Sequence, residues 1–164
     1  TYIFPPILLA IPYSVVMGKL ELINTRIGLV IVYLSFSVPY AVWLLTGFFR
    51  TVPLEIEEAA RIDGANKMQT FVRVGLPLVA PGVVATAIYT FINTWNEFYF
   101  ALMLTSGDSA RTVPIALNYY MGTFANNYSA LFAAVVMTVM PTILVFIILQ
   151  RQVMESLTAG AVKG

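Results

Sequence analysis

Four long stretches of this chain carry no charged side chain, and they constrain its fold more than any other feature. They cover residues 1–18, 27–49, 74–96 and 112–150. An α-helix needs about 20 consecutive apolar residues to cross the hydrocarbon core of a bilayer. Only 10% of the residues are charged, whereas a typical soluble domain carries roughly 25%. The sequence therefore predicts an integral membrane protein rather than an ordinary soluble enzyme.

Within these stretches we predict four membrane-spanning helices, near residues 1–17, 27–49, 74–100 and 129–150. The last span begins late because the first part of its charge-free stretch is rich in Tyr, Asn and Gly. Several prolines lie inside the spans, and a proline removes a backbone donor and tends to kink a helix. The expected fold is an all-α integral membrane protein, a bundle of about four kinked transmembrane helices.

Lysine and arginine in the short loops predict the orientation of the bundle. One side holds six basic residues, namely Arg50, Arg61, Lys67, Arg73, Arg151 and Lys163. The other side holds three, namely Lys19, Arg26 and Arg111. Because basic residues concentrate on the cytoplasmic side, we expect the loop after the second span and the C-terminus to be cytoplasmic. The chain starts inside an apolar stretch without an initiating Met, so we expect residues 1–164 to form one transmembrane domain that lacks further N-terminal spans.

The composition also excludes several kinds of chemistry. The chain contains no Cys and no His, which excludes disulfides and thiolate metal sites and removes the commonest general base and metal ligand. Nine basic residues are balanced by eight acidic ones, which argues against nucleic-acid binding. We expect no catalytic residue, no metal site and no cofactor in this chain.

The loop at 51–73 is the most polar part of the chain and reads as a helix–turn–helix. Pro53 suits the first position of a helix, and Gly64 suits a left-handed C-cap. A second short helix is expected from about Asn66 to Val74.

On a helical wheel, Ile56, Ala59, Ala60 and Asp63 share one face of the first loop helix. Small side chains on this face let another backbone approach closely. The alternative is a short amphipathic helix that packs on its own bundle or lies at the lipid interface.

The motif that starts Glu58-Ala59-Ala60 and continues with Asp63-Gly64-Ala65 and Leu76-Pro77 resembles the cytoplasmic loop of ABC-importer permeases. Further stretches are similar to the carbohydrate branch of that family, the maltose-type permease subunits. They are Trp95-Asn96-Glu97-Phe98, Gln150-Arg151 and the C-terminal Gly160-Ala161-Val162-Lys163-Gly164. One departure is Ser156, where the family usually has Gly.

The resemblance implies a multi-pass subunit of a bacterial or archaeal inner membrane that depends on other chains. The 51–73 loop would be a coupling loop that docks on a separate ATP-binding subunit, which would bind ATP and Mg²⁺. The C-terminal tail could touch the same subunit. A second permease chain, homologous or identical, would complete the path through the lipid membrane, and an extracytoplasmic solute-binding protein would deliver a sugar. The docking residues would be Ile56, Glu57, Glu58, Ala59, Ala60, Asp63 and Gly64.

The third predicted span carries a polar stripe on one arc of the helical wheel. Polar groups are costly in hydrocarbon unless they face partners or water, so the stripe predicts a translocation path. Alternatively, Asn93 and Asn96 join helices by hydrogen bonds. Glu97 could be solvated, line the path or pair with Arg111, whereas Trp95 lies off the stripe and is expected to pack. The stripe consists of Thr86, Tyr89, Thr90, Asn93, Asn96 and Glu97.

These observations predict a transport subunit that catalyses no covalent reaction and forms the path of an ATP-driven carbohydrate importer. The chain has no GxxxxGK[ST] motif, so we expect ATP hydrolysis in a partner chain. Three alternatives remain open at this point. They are an ABC importer for a non-sugar solute, a proton- or ion-coupled transporter that uses Glu97 as a relay, and a structural subunit of a membrane assembly.

Overall fold

The structure, a computed structural model, describes residues 5–123 and 127–161, and within these ranges it contains helices and no strands. The side chains of residues 6, 123 and 151–161 are outside the description, as are Lys163 and Gly164 of the predicted tail contact. The all-α prediction is confirmed. The helices are α1 (Ala10–Lys19), α2 (Arg26–Phe49), α3 (Leu54–Ile62), α4 (Lys67–Thr70), α5 (Leu76–Leu78), α6 (Ala80–Trp95), α7 (Tyr99–Leu104), α8 (Val113–Thr123) and α9 (Tyr128–Ala161).

Two described helices are long and apolar enough to cross a membrane, namely Arg26–Phe49 and the Tyr128–Gln150 part of α9. A third span exists if the bent pair Lys67–Leu78 and Ala80–Trp95 is counted as one. The predicted count of about four spans was therefore too high for the described residues. The first predicted span is the shorter apolar helix Ile7–Lys19, preceded by residues 1–4, which are outside the description.

The predicted span near 74–100 is bent at Val79, where the pair Lys67–Leu78 and Ala80–Trp95 turns by 71°, as the prolines in this span predict. Pro77 and Pro81 lie on either side of this position and cannot donate the backbone hydrogen bonds that a straight helix requires. A π-helical turn over Phe71–Gly75 precedes the bend. The interruption therefore has an identifiable cause in the sequence.

The same predicted helix is also broken after Trp95. The last helical bond at this end runs from the Asn96 amide to the Ile92 carbonyl at 3.1 Å, and Glu97 N–H turns to the Thr94 carbonyl at 3.3 Å. Helix α7 then begins at Tyr99. This second break separates α6 from α7 and leaves the first backbone donors of α7 without partners inside the helix.

The chain divides into two compact units, each formed by two segments. The first comprises Thr1–Pro39 and Phe91–Leu144, and the second comprises Tyr40–Thr90 and Val145–Gly164.

Small residues and one aromatic ring let α1, α2 and α7 pack closely in the first unit. Ala101 and Val32 are fully buried, and the Phe100 ring lies 5.7 Å from the Tyr13 ring and 5.0 Å from the Phe36 ring. The buried core of this unit is Ala10, Met17, Leu29, Val32, Phe100, Ala101 and Leu104.

Asn24 joins two connections of the first unit. Its backbone is left-handed, with φ of 59°, which Asn tolerates better than most residues. Its amide donates to the Leu104 carbonyl at 2.7 Å, and its Oδ1 accepts from the amides of Ser106 and Gly107, both at 3.1 Å. The turn before α2 and the segment after α7 therefore hold each other in place.

In the second unit a glycine allows α6 to approach the end of α2. A Cβ at Gly82 would lie 2.3 Å from Cγ of Phe48, so any larger residue displaces that ring. The ring of Phe49 stacks on Phe71, with centroids 5.7 Å apart. These contacts fix the framework from which the 51–73 loop projects.

Candidate functional site

The first loop helix, α3, ends in a Schellman motif. Gly64 has φ of +86°, as the sequence predicted, and its amide donates to the Arg61 carbonyl at 3.0 Å. The Ala65 amide donates to the Ala60 carbonyl, also at 3.0 Å. These two bonds satisfy carbonyls that the helix end would otherwise leave unpaired. The helix begins one residue later than predicted, because Pro53 is its N-cap rather than its first residue.

Asn66 starts the second loop helix through a capping box. Its side-chain oxygen accepts from the Gln69 amide at 2.9 Å, and the Gln69 side chain accepts from the Asn66 amide at the same distance. The capping box thereby satisfies two backbone donors at the start of this helix, the amides of Asn66 and Gln69. The predicted helix–turn–helix is confirmed, and its two halves are fixed by local hydrogen bonds.

Helix α3 has no buried residue, and large apolar side chains are among its exposed ones. Ile62 is 86% exposed and Leu54 is 71% exposed, and neither residue is among the docking residues that the sequence predicts. We define the outer face of α3 as the exposed side chains that lie on the same arc of the helix as Leu54 and Ile62. This face consists of Leu54, Glu55, Glu58, Ala59 and Ile62.

The residues predicted to dock are distributed around α3 and the turn that follows. Asp63 and Gly64 are exposed beside the outer face, which includes Glu58 and Ala59. Ile56 is exposed, at 37%, whereas Ala60 and Glu57 are half-buried.

Glu57 lies on the inner side of the loop. There it lines a cavity of about 210 Å³ with Arg61 of the same helix. Which face of α3 points outward depends on how this helix packs against the rest of the loop. A helical wheel carries no information about that packing.

Glu97 accepts three hydrogen bonds at the break between α6 and α7. Its Oε2 accepts from the Tyr33 hydroxyl at 2.8 Å and from the Ala101 amide at 3.1 Å. Its Oε1 accepts from the Phe100 amide at 2.8 Å. The carboxylate therefore satisfies backbone donors of the first turn of α7 and ties that turn to α2.

The alternative that paired Glu97 with Arg111 does not match the structure. The Arg111 guanidinium lies 2.6 Å from a carboxylate oxygen of Asp108. The same group lies over the Tyr119 ring, 4.7 Å from its centroid. The arginine is thus held by neighbours in its own loop and in α8.

A cavity of about 270 Å³ lies beside this break in the first unit. Three of the predicted path residues, Asn93, Asn96 and Glu97, are on its wall. The Asn96 side chain donates to the Ile92 carbonyl at 2.7 Å, and the side chains of Asn93 and Asn96 are exposed. The lining consists of Tyr33, Phe36, Ser37, Asn93, Thr94, Asn96, Glu97, Phe98, Tyr99 and Phe100.

The other three predicted path residues belong to the second unit. Thr86 is only 4% exposed, and its hydroxyl donates to the Gly82 carbonyl at 2.7 Å. Tyr89 stacks on Tyr40 with centroids 4.2 Å apart, and Thr90 is half-buried.

Trp95 packs, as the sequence analysis expected. Its indole N–H donates to the Thr138 carbonyl of α9 at 3.1 Å. Its ring stacks on Phe91, with centroids 5.7 Å apart. The indole therefore joins the end of α6 to α9.

Comparison with known proteins gives a match to one family over most of the chain. The model of the binding-protein-dependent transport system inner membrane component matches residues 1–157. A putative ABC transporter permease protein, ORF1 of Streptomyces antibioticus, is 42% identical over 98% of this chain and 70% of its own length. The trehalose transport system permease protein SugB of Mycobacterium tuberculosis is 38% identical over 98% of this chain and 60% of its own length.

A solved structure gives the same fold. It is the crystal structure of a bacterial ABC transporter involved in the import of the acidic polysaccharide alginate. The match covers 86% of this chain and 55% of that chain, with a TM-score of 0.72 and 24% sequence identity. The family match, the relatives and this shared fold agree: the chain belongs to the family of binding-protein-dependent transport system inner membrane components.

Proposed function

We propose that this chain is a permease subunit of an ATP-driven ABC importer and contributes to the translocation path for a carbohydrate. The observation that carries the proposal is the outer face of α3, an exposed surface held in place by caps at both ends of the turn. A chain of this family with such a surface needs a partner to cover it. The chain spans 70% of the length of ORF1 and 60% of the length of SugB.

A carbohydrate substrate is supported by the names of the relatives. SugB is named for trehalose transport, and it matches 98% of this chain. The amide and hydroxyl groups on the cavity wall are suitable hydrogen-bonding partners for a polyol. A non-sugar solute remains the alternative outcome of the transport assay described below.

The outer face of α3 has the chemistry of a docking surface for an ATP-binding subunit. Burying a Leu or Ile side chain from water contributes about 1.5–3 kcal/mol, and Leu54 and Ile62 are mostly exposed in this chain. Ala59 between them lets a partner approach, while Glu55 and Glu58 set the register by charge. We propose that ATP and Mg²⁺ are bound by that partner.

The cavity beside the helix break supports a path through the first unit. Asn93, Asn96 and Glu97 line it, and we propose that a permeating sugar passes them. For Thr86, Tyr89 and Thr90 of the second unit, path lining stays a prediction. A second permease chain, homologous or identical, would supply the rest of the wall, and a solute-binding protein would load it.

We further propose that the 51–73 loop and the C-terminus face the cytoplasm. The basic residues of this loop support that orientation, and an ATP-binding partner requires it, because cytoplasmic ATP must reach the subunit that docks there.

The proposal is tested by reconstituting the full-length protein with its co-purified partners in proteoliposomes. We expect uptake of radiolabelled trehalose or maltose that requires ATP on the side of the 51–73 loop. Matched vesicles with ADP, and vesicles with an imposed proton gradient but no ATP, are the controls. Uptake that follows the proton gradient would reject the proposal in favour of a coupled transporter. ATP-driven uptake of an amino acid, but of no sugar, would support an ABC importer and reject a carbohydrate as its substrate.

A further inference from the structure

The wall of the 270 Å³ cavity carries one charged side chain among the described residues that line it, Glu97. The carboxylate of Glu97 already accepts from the Tyr33 hydroxyl and from the amides of Phe100 and Ala101. A carboxylate has about four lone-pair sites, so three protein donors leave little capacity for a substrate. The Glu97 carboxylate therefore stabilises the break between α6 and α7 rather than binding a substrate.

No lysine or arginine is among the described residues that line this cavity. An anionic solute would therefore meet a carboxylate and no compensating cation. Burying a charge without a partner is costly, and like charges repel in a medium of low dielectric. A cationic solute would have to compete with three hydrogen-bond donors for the same carboxylate.

The rest of the lining suits an uncharged polyol. Tyr99 is 62% exposed and offers a ring face, and Phe98 lies beside it on the wall. Asn96 keeps its side-chain oxygen as an acceptor, since its amide nitrogen donates to Ile92. A volume of 270 Å³ lies just below the roughly 300 Å³ at which ligand pockets usually begin, which favours a single sugar ring.

We propose that this cavity binds one ring of an uncharged sugar and discriminates against uronic acids and amino sugars. Glu97 is a positioning residue in this account, because it acts through the backbone of α7 and through Tyr33. The inference rests on the proposed function and deepens it by naming the class of substrate that this wall accepts.

The test is protection of a cysteine on the cavity wall from a maleimide. The variant is Tyr99→Cys in the complete importer in proteoliposomes, without a solute-binding protein. The probes are methyl glucoside, methyl glucuronide and glucosamine, which share one ring and differ in charge. Asn96→Cys is a second exposed wall position, and Leu102→Cys, which is exposed on α7 but is not part of the lining, is the control.

Both substitutions remove a proposed sugar contact and are expected to weaken binding, so the probe is used at about ten times its dissociation constant for each variant. At that concentration we expect methyl glucoside to slow labelling at Tyr99→Cys and Asn96→Cys about tenfold. Labelling of Leu102→Cys should not change. The glucuronide and glucosamine should require concentrations at least about tenfold higher, which corresponds to about 1.4 kcal/mol. Equal protection by the charged sugars would overturn the proposed selectivity.

A second outcome separates this inference from the proposed function. If no probe protects either wall position while ATP-driven sugar uptake proceeds, the cavity is not the sugar site and the importer assignment stands. If uptake itself follows an ion gradient, the proposed function fails first. Tyr99→Phe, which keeps the ring face, should retain sugar protection at Asn96→Cys, whereas Tyr99→Ala should weaken it.

Discussion

At the scale of single residues, Glu97 shows what a sequence can and cannot predict. Lining a path was one of the three roles that the sequence left open for it, and its side chain lies on the wall of a cavity. Its hydrogen bonds to the first turn of α7 were not foreseen, because no Pro or Gly marks the break after Trp95. Its tie to Tyr33 joins positions 64 residues apart, and a helical wheel carries no information about such contacts.

The bond between Tyr33 and Glu97 gives a prediction for stability. Tyr33→Phe removes only the hydroxyl donor, so we expect a loss of about 1 kcal/mol in the free energy of unfolding. Thermal unfolding of the full permease in detergent measures it. The matched control is Tyr99→Phe, because the Tyr99 side chain is 62% exposed and its change should be near zero. Equal effects of the two variants would contradict the assigned bond.

Two glycines should respond to alanine with opposite signs. At Gly82 a Cβ would lie 2.3 Å from the Phe48 ring, whereas at Gly47 it would meet nothing within 4 Å. We expect Gly82→Ala to destabilise the permease by about 1–3 kcal/mol through overpacking. Gly47→Ala should stabilise it by up to about 1 kcal/mol through helix propensity. Both are read from thermal unfolding, and a neutral Gly82→Ala would contradict the close approach of α6 to Phe48.

At the scale of elements, the helices of the 51–73 loop were predictable from the sequence, whereas the bounds of the helices in the third span were not. The loop is governed by caps that lie within a few residues of each other: Gly64 forms the left-handed cap that the sequence predicts, and Asn66 begins the second helix with a capping box. The prolines predicted kinked spans, but the bounds of the third span rested on length and apolar character, which do not show where a helix stops. The structure turns at Val79 between two prolines, and α6 ends at Trp95.

The Schellman motif at the end of α3 gives a prediction at the scale of elements. Gly64→Ala places a side chain at φ of +86°, which costs about 1–2 kcal/mol for a residue other than Gly. We expect faster hydrogen exchange of the α3 amides because the helix end frays. Gly64→Asn should cost less, since Asn tolerates the left-handed region. If alanine and asparagine behave alike, the turn is not held in the geometry described here.

At the scale of the whole molecule, apolar surface is left outward where a bilayer or a partner can cover it. No residue in the most apolar window of Tyr128–Gln150 is buried, and Ile148 and Met137 are 68% and 67% exposed. In water such a surface would drive association, whereas in a bilayer it faces hydrocarbon. The composition predicted this arrangement from the scarcity of charge alone.

The coupling of this chain to an ATP-binding subunit is the central claim, and one cross-link tests it. Ile62→Cys, at the most exposed apolar position of α3, is placed in the full-length protein and joined to a cysteine in the co-purified ATPase in membranes. Lys19→Cys, exposed at the last residue of α1 and predicted from the basic residues to lie on the opposite membrane face, is the control. We predict a cross-link for Ile62→Cys alone, with a yield that changes when ATP is added. A folded importer in which Ile62→Cys does not react, or reacts no more than Lys19→Cys, would contradict docking through α3.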